Sequence, residues 1–473
     1  MTRDEFRQWG YRFVDWVADY FENVGQYPVR SALEPGDIKK QLPDEAPQQG
    51  ESMEAVFADF QEIIVPGMTH WQHPSWFAYF SANNSPPSVL AELLTAGMGA
   101  QCMIWETSPS AAELEEVVLE WLRKLLGLPE GLSGVIQDTA STASLVAMLT
   151  AREQATGFEA NRRGLKEPLL VYVSEEAHSS VEKGAKIAGF GSENIRKIPT
   201  DAVFAMIPEE LERALASDKS RGLQPACVVA TLGTTSSSAI DPLESIGRIC
   251  RRHKVWLHVD AAYAGNAAIL PEKRWIFDGA EFVDSLVFNP HKWMLTNFDC
   301  SAYYVKDEGA LIRTFEIHPE YLKTGVDAVV KNYRDWGIQL GRRFRALKLW
   351  FVLRSYGVEG IQAMIREHIR LAQLFKEWVE AHGAFEVMAP VPLSLVCFRM
   401  NDGRPEEELD RINRELLTRL NQTGRLLLTQ TSLKGKYVIR MAIDSHTTDE
   451  QHVRDAWDLI RETGAALLSR APV

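Results

Sequence analysis

Five short apolar runs constrain this chain more than any other feature: LLVYVS at 169–174, ACVVATLGTT at 226–235, VWLHVDAAYAG at 255–265, DSLVFNPHKW at 284–293 and CSAYYVK at 300–306. Each is rich in β-branched or apolar residues, is separated from the next by helical patterning, and reads as a strand. Val228, Trp256 and Leu286 begin three of them at intervals of about 30 residues, the length of a strand plus a crossover helix. That spacing predicts a largely parallel sheet with helices on both faces, an α/β architecture. CSAYYVK follows its predecessor too closely for a crossover, which marks it as an antiparallel strand.

This pattern occupies residues 86–365 and defines a large domain. Ahead of it, residues 1–85 read as a helix and an extended arm. Phe6, Trp9, Phe13, Trp16, Val17, Tyr20 and Phe21 recur at spacings of three and four, a broad apolar stripe that needs a partner. The Pro- and Gly-rich tract PVRSALEPGDIKKQLPDEAPQQG that follows is too poor in apolar residues to fold alone. An aromatic helix on a polar tether points to dimerisation, with packing on its own subunit as the alternative. Residues 366–473 carry long amphipathic helical patterning, the strand-like runs LSLVCFRM and KYVIRMAI, and a last helix, a small α+β domain.

Composition narrows the function by exclusion. With 51 basic and 64 acidic residues the formal charge is −13, which repels nucleic acid and anionic lipid. Five scattered cysteines without a CxxC pair argue against a disulfide framework or a zinc cluster. His70 and His73 lack a third ligand in reach, so no metal is expected. The opening residues have no apolar leader and no run approaches a membrane span, so a cytoplasmic protein is expected.

In open α/β sheets ligands gather beyond the carboxyl ends of the strands. Two charges emerge there from apolar runs: Asp260 ends VWLHVD, and Lys292 follows SLVFNPH. A buried lysine is disfavoured as an ammonium and tends toward the neutral amine that attacks an aldehyde. A strand-end carboxylate can keep a pyridine nitrogen protonated, so acid and amine suit the two ends of a pyridoxal phosphate (PLP) ring. Spacing alone equally permits a structural ion pair at the sheet edge.

NPHKW at 289–293, LHVDAAYAG at 257–265 and VSEEAHSS at 173–180 resemble the group II PLP-dependent decarboxylases, most nearly the aromatic-L-amino-acid decarboxylases. The likeness runs through PGMTHWQHPSWFAYF at 66–80, ATLGTTSSS at 230–238, NFDCSAYYV at 297–305 and LGRRFRALKLWF at 340–351. The resemblance implies the PLP-dependent transferase fold (fold type I) and a homodimer with the active site at the subunit interface. It implies Lys292 as the lysine that carries PLP as a Schiff base, Asp260 as the partner of the pyridine nitrogen, and His178 as the residue stacked on the ring. Ala140 and Ser141 would hold the phosphate at a helix start, with Thr235, Ala262, Asn289 and His291 as further cofactor contacts. Tyr321 matches the family's loop tyrosine, the acid expected to protonate Cα.

For the substrate, the resemblance places Trp71, Tyr79, Phe80, Ala82, His178 and Gly341 at the pocket. Trp71, Tyr79 and Phe80 supply aromatic surface, and no arginine stands ready for a side-chain carboxylate. Tryptophan, 5-hydroxytryptophan, dopa, tyrosine and phenylalanine are all open. The alternative is an aromatic aldehyde synthase, which couples decarboxylation to oxidative deamination; Tyr321 and His178 favour the amine-forming reaction. A catalytically idle scaffold and an aminotransferase are the remaining readings. The chain departs from close relatives at Ser81-Ala82, where they have Pro-Thr, and at Asp138-Thr139, where they have Gly-Ser.

Overall fold

The computed structural model describes residues 1–317 and 329–469. Tyr321 lies outside the described residues. The chain divides into two units, one formed by residues 82–370 and 389–395, the other by residues 1–81, 371–388 and 396–473.

The first unit is built on a seven-stranded sheet. In chain order its strands are β1 (Ser133–Gln137), β2 (Leu169–Ser174), β3 (Ile195–Ile198), β4 (Gln224–Thr231), β5 (Trp256–Asp260), β6 (Ser285–Phe288) and β7 (Ser301–Val305). Their order across the sheet is β1-β7-β6-β5-β4-β2-β3. β2 to β6 run parallel, and β7 is antiparallel to both its neighbours, as its short connection predicts. β2, β5, β6 and β7 are buried along their whole length, the mark of strands covered on both faces.

Two antiparallel steps restore direction, so β1 points the same way as β6. The carboxyl ends of β1, β2, β4, β5 and β6 therefore open on one edge. On one face Val171, Val173, Cys227, Val229, Trp256, Val287 and Tyr303 pack against the helix Ala140–Ala155, contributing Ala143, Val146, Ala147 and Met148. The helix begins at Ala140, as expected for the Ala140–Ser141 turn, directly after Val135 to Gln137 close β1 and Asp138 and Thr139 lead out of it. β1 is short and half-exposed at its start, so periodicity alone does not reveal it.

The turn after β4 needs a glycine. Gly233 has φ +87°, and a Cβ there would stand 2.6 Å from the Ala264 Cβ, beyond the end of β5. Close approach of two backbones is what brings Thr234 and Thr235 to the sheet edge.

In the second unit β8 (Phe385–Val387), β9 (Leu395–Met400), β10 (Thr429–Leu433) and β11 (Lys436–Ala442) form a sheet in the order β10-β11-β9-β8. Lys434 and Gly435, both at positive φ, make the two-residue turn of the β10–β11 hairpin. The helix Glu406–Gln422 packs on β11 and against the helix Glu450–Leu468. The N-terminal helix Arg3–Asn23 buries none of its residues. Trp9 and Phe13 touch Phe57, and Trp16 meets Phe60, while Phe6 and Tyr11 stay exposed. The arm that follows is tied to its own unit, with Val29 N–H bonded to the Gly424 carbonyl and its carbonyl accepting from His70.

Gly233→Ala is expected to destabilise the chain by about 2 kcal/mol, from the positive φ and the forced separation from Ala264. A drop in thermal midpoint that matches a neutral control substitution on the protein surface contradicts this reading of the turn.

Candidate active site

Asp260 is the last residue of β5 and Lys292 lies in the short helix Pro290–Trp293 that follows β6. These strands are adjacent and parallel, with Asp260 paired in register to Val287. Asp260 is 4% exposed, and its side chain accepts the Ala262 N–H at 3.1 Å. Ala262 in turn accepts the Asn289 N–H at 3.0 Å through its carbonyl. One polar turn thus links the strand ends that carry the acid and the amine.

Lys292 is held from both sides. Asn83 Nδ2 donates to the Lys292 carbonyl at 2.6 Å, and the Lys292 N–H bonds the Asn289 carbonyl at 2.9 Å. Its neighbour Trp293 is fully buried, stacked on Tyr263 at 4.5 Å and donating from Nε1 to His368 Nδ1 at 2.9 Å. Asn289 Oδ1 accepts the Ser301 hydroxyl at 2.7 Å, which fixes its amide orientation.

His178 precedes the helix Ser179–Ile187 after β2, its Nδ1 within 2.7 Å of Ser180 Oγ and accepting the Ser180 N–H at 3.2 Å. Its ring is open to solvent on one side, yet enough protein surrounds it to depress its pKa by desolvation; the charge of Asp260 opposes that shift and Lys292 reinforces it. Those two influences place His178, Asp260 and Lys292 in one electrostatic neighbourhood.

Beneath them lies a polar relay that the sequence does not announce. His258, two residues before Asp260 on the same face of β5, is fully buried. Its Nε2 is 3.1 Å from Ser144 Oγ on the helix Ala140–Ala155, and its Nδ1 is 3.0 Å from Ser285 Oγ, which also accepts from Trp256 Nε1 at 2.9 Å. Burial pushes the His258 pKa down to about 4 against the pull of Asp260, so the ring is neutral.

At the same edge Thr139 caps the helix Ala140–Ala155, accepting the Thr142 N–H at 3.3 Å. The N–H groups of Ala140 and Ser141 donate to nothing among the described residues. Thr235 stands exposed in the turn after β4. His291 is buried, its Nδ1 accepting the Cys300 N–H at 3.0 Å, and burial followed by the charge of Lys292 pushes its pKa down to about 3. Ala82 is half-buried beside Asn83, and Gly341 is exposed, with space for a Cβ limited by Gln101 Nε2 at 3.0 Å.

Trp71, Tyr79 and Phe80 belong to the other unit and gather there. Trp71 stacks on Tyr79 at 5.8 Å and meets Trp76 at 4.3 Å, while Phe80 is buried with the Arg440 guanidinium 5.3 Å from its ring centre. The structure therefore draws Lys292, Asp260, His178, Ala262, Asn289 and the Ala140–Ser141 turn to one sheet edge, and groups the aromatic residues separately. Among the described residues no cluster of three or more metal-ligating side chains occurs.

A family model described as the pyridoxal-dependent decarboxylase conserved domain matches residues 35–401. Tryptophan decarboxylase 2 of Oryza sativa subsp. japonica is 44% identical over 481 residues, covering 99% of this chain and 96% of that protein. Phenylacetaldehyde synthase of Arabidopsis thaliana is also 44% identical over 481 residues, covering 99% and 98%. The solved structure of Oryza sativa TDC with PLP and tryptamine superposes with a TM-score of 0.95 at 38% identity, covering 99% of each chain. The chain belongs to the pyridoxal-dependent decarboxylase family, near its aromatic-L-amino-acid branch.

The residues present fit that family's cofactor. Lys292 offers the amine for an aldehyde, Asp260 a buried carboxylate for a pyridine nitrogen, and the free N–H groups of Ala140 and Ser141 a helix terminus for a phosphate.

Because His291 is neutral when folded and titrates near pH 6.5 when unfolded, the unfolded chain takes up a proton below pH 6.5 that the folded chain refuses until about pH 3. Its contribution to stability thus falls as the pH falls through that window. His291→Asn, which keeps an acceptor for Cys300, should lose about 2 kcal/mol less stability than the wild type between pH 7.5 and 5 in urea titrations. Parallel losses in the two proteins would refute a neutral His291.

Proposed function

We propose that this protein removes the α-carboxylate of aromatic L-amino acids, releasing carbon dioxide and the corresponding arylalkylamine with PLP as cofactor. The observation that carries this reading is the placement of Asp260 at the end of β5 and Lys292 in the short helix directly after the adjacent parallel β6, with His178 under the influence of both. The bound cofactor supplies an electron sink for the pair left behind when the bond from Cα to the carboxylate breaks.

The chain's own residues do the rest. Lys292 would hold the cofactor through its ε-amine. Asp260, kept from solvent and tied to the Ala262 N–H, would favour a protonated pyridine nitrogen by its charge. His178 would cover the cofactor ring and screen it from water. Tyr321 delivers the proton to Cα and so directs the outcome toward amine. By the family resemblance we assign substrate recognition to Trp71, Tyr79, Phe80, Ala82 and Gly341. The names of the relatives support both this reading and the aldehyde-forming alternative, since a phenylacetaldehyde synthase is as similar to the chain as a tryptophan decarboxylase.

We further propose a homodimer acting in the cytoplasm, with the active site at the interface. The helix Pro86–Met98 leaves Leu90, Leu93, Leu94 and Met98 exposed, an apolar face of the kind that a second subunit covers. All five cysteines are free and buried, as suits a reducing compartment. Among the described residues no helix is long and apolar enough to cross a membrane.

Incubation with tryptophan, 5-hydroxytryptophan, dopa, tyrosine and phenylalanine should yield amine and carbon dioxide in equal amounts, with little aldehyde, ammonia or peroxide. Asp260→Ala should lower kcat by about 10³-fold or more. Tyr321→Phe should divert product from amine to aldehyde, with oxygen consumed. Keto acid as the main product, or undiminished turnover in Asp260→Ala, would refute the assignment. For the assembly, the double substitution Leu93→Glu, Leu94→Glu should convert a dimer to an inactive monomer in sedimentation velocity; an unchanged sedimentation coefficient contradicts the proposed interface.

A further inference from the structure

Asp138 follows β1 directly and stands two residues ahead of the free N–H groups of the helix Ala140–Ala155. Its Oδ1 accepts the Thr139 N–H at 2.5 Å and the Thr139 hydroxyl at 3.3 Å; its Oδ2 accepts the Gln339 amide at 3.4 Å. No cation is bonded to it among the described residues. Arg345, whose charge it feels, is committed to Asp299 through contacts of 3.0 and 3.1 Å. The carboxylate thus remains half-buried, with amide and hydroxyl donors as its partners.

This arrangement works against anion binding in two ways. A helix N-terminus favours a phosphate dianion through its dipole and its unsatisfied N–H groups, and a neighbouring carboxylate opposes that field. The same carboxylate also removes two donors, because the Thr139 N–H and hydroxyl both point to it, and the hydroxyl oxygen already accepts from Thr142. Ala140 and Ser141 are left to hold the phosphate from the side of this turn.

Building on the cofactor reading above, we propose that Asp138 tunes cofactor retention: it weakens the hold of the Ala140–Ser141 turn on the phosphate and makes PLP exchangeable. The effect acts through the phosphate, so it is confined to phosphorylated cofactor forms. Asp138 is a positioning residue in this scheme and takes no part in the decarboxylation step.

The test uses the full-length chain stripped of cofactor and titrated separately with PLP and with pyridoxal, which lacks the phosphate. Binding is followed by quenching of tryptophan fluorescence and by borohydride-trapped adduct on Lys292, located by peptide mapping. Asp138→Asn, which keeps the acceptor for Thr139 and loses the charge, should lower the dissociation constant for PLP about tenfold and leave that for pyridoxal unchanged. Asp138→Gly, which also frees the Thr139 donors, should gain at least as much. No gain in either variant, weaker PLP binding, or an equal gain for pyridoxal would overturn the role of Asp138. A wild-type chain that forms no trapped adduct on Lys292 would instead remove the cofactor reading, and this proposal with it.

Discussion

Everything in the first unit depends on placing an acid and an amine at the ends of neighbouring strands that are otherwise apolar. A carboxylate 4% exposed at the end of β5 is tolerable because the backbone there is not closed: the Ala262 N–H turns back to it, and the sheet edge leaves room for a further donor. Parallel pairing of β5 with β6 then puts Lys292 on the same side of the same edge. Had β6 run the other way, its carboxyl end and the amine after it would lie at the opposite edge. Strand direction is therefore a chemical requirement here as much as a packing one.

The surrounding polar contacts hold this pair in place. Asn83 fixes the Lys292 backbone, Trp293 anchors the next residue in the core, and Ser301 orients Asn289. The neutral His258 ties the helix Ala140–Ala155 to β6 through Ser144 and Ser285. Each contact removes a degree of freedom from a group at this edge, and fixed dipoles are what stabilise charge that develops during a reaction.

Much of this was readable from the chain. The long buried strands β2, β4, β5, β6 and β7 announce themselves as uninterrupted apolar runs, and the antiparallel sense of β7 follows from its short connection. β3 and β10 do not, because each buries only one residue fully and their apolar content is low. β8 is three residues long, below the reach of any periodicity. Within the site, Asp260 and Lys292 stand out as charges ending apolar runs. Asn83 gives no such signal: it lies 209 residues from the lysine it supports, and long-range hydrogen bonds leave no local mark. His258 hides for the opposite reason, since a histidine inside VWLHVD reads as one more residue of the strand.

The insertion of β7 between β1 and β6 also bears on how the protein is made. β1 borders β7 alone among the described strands, with Ser133 opposite Val305, so β1 cannot join the sheet until that distant segment has left the ribosome. At ordinary synthesis rates the delay is on the order of ten to thirty seconds. β1, the first strand of this sheet to be translated, is thus among the last to be placed in it.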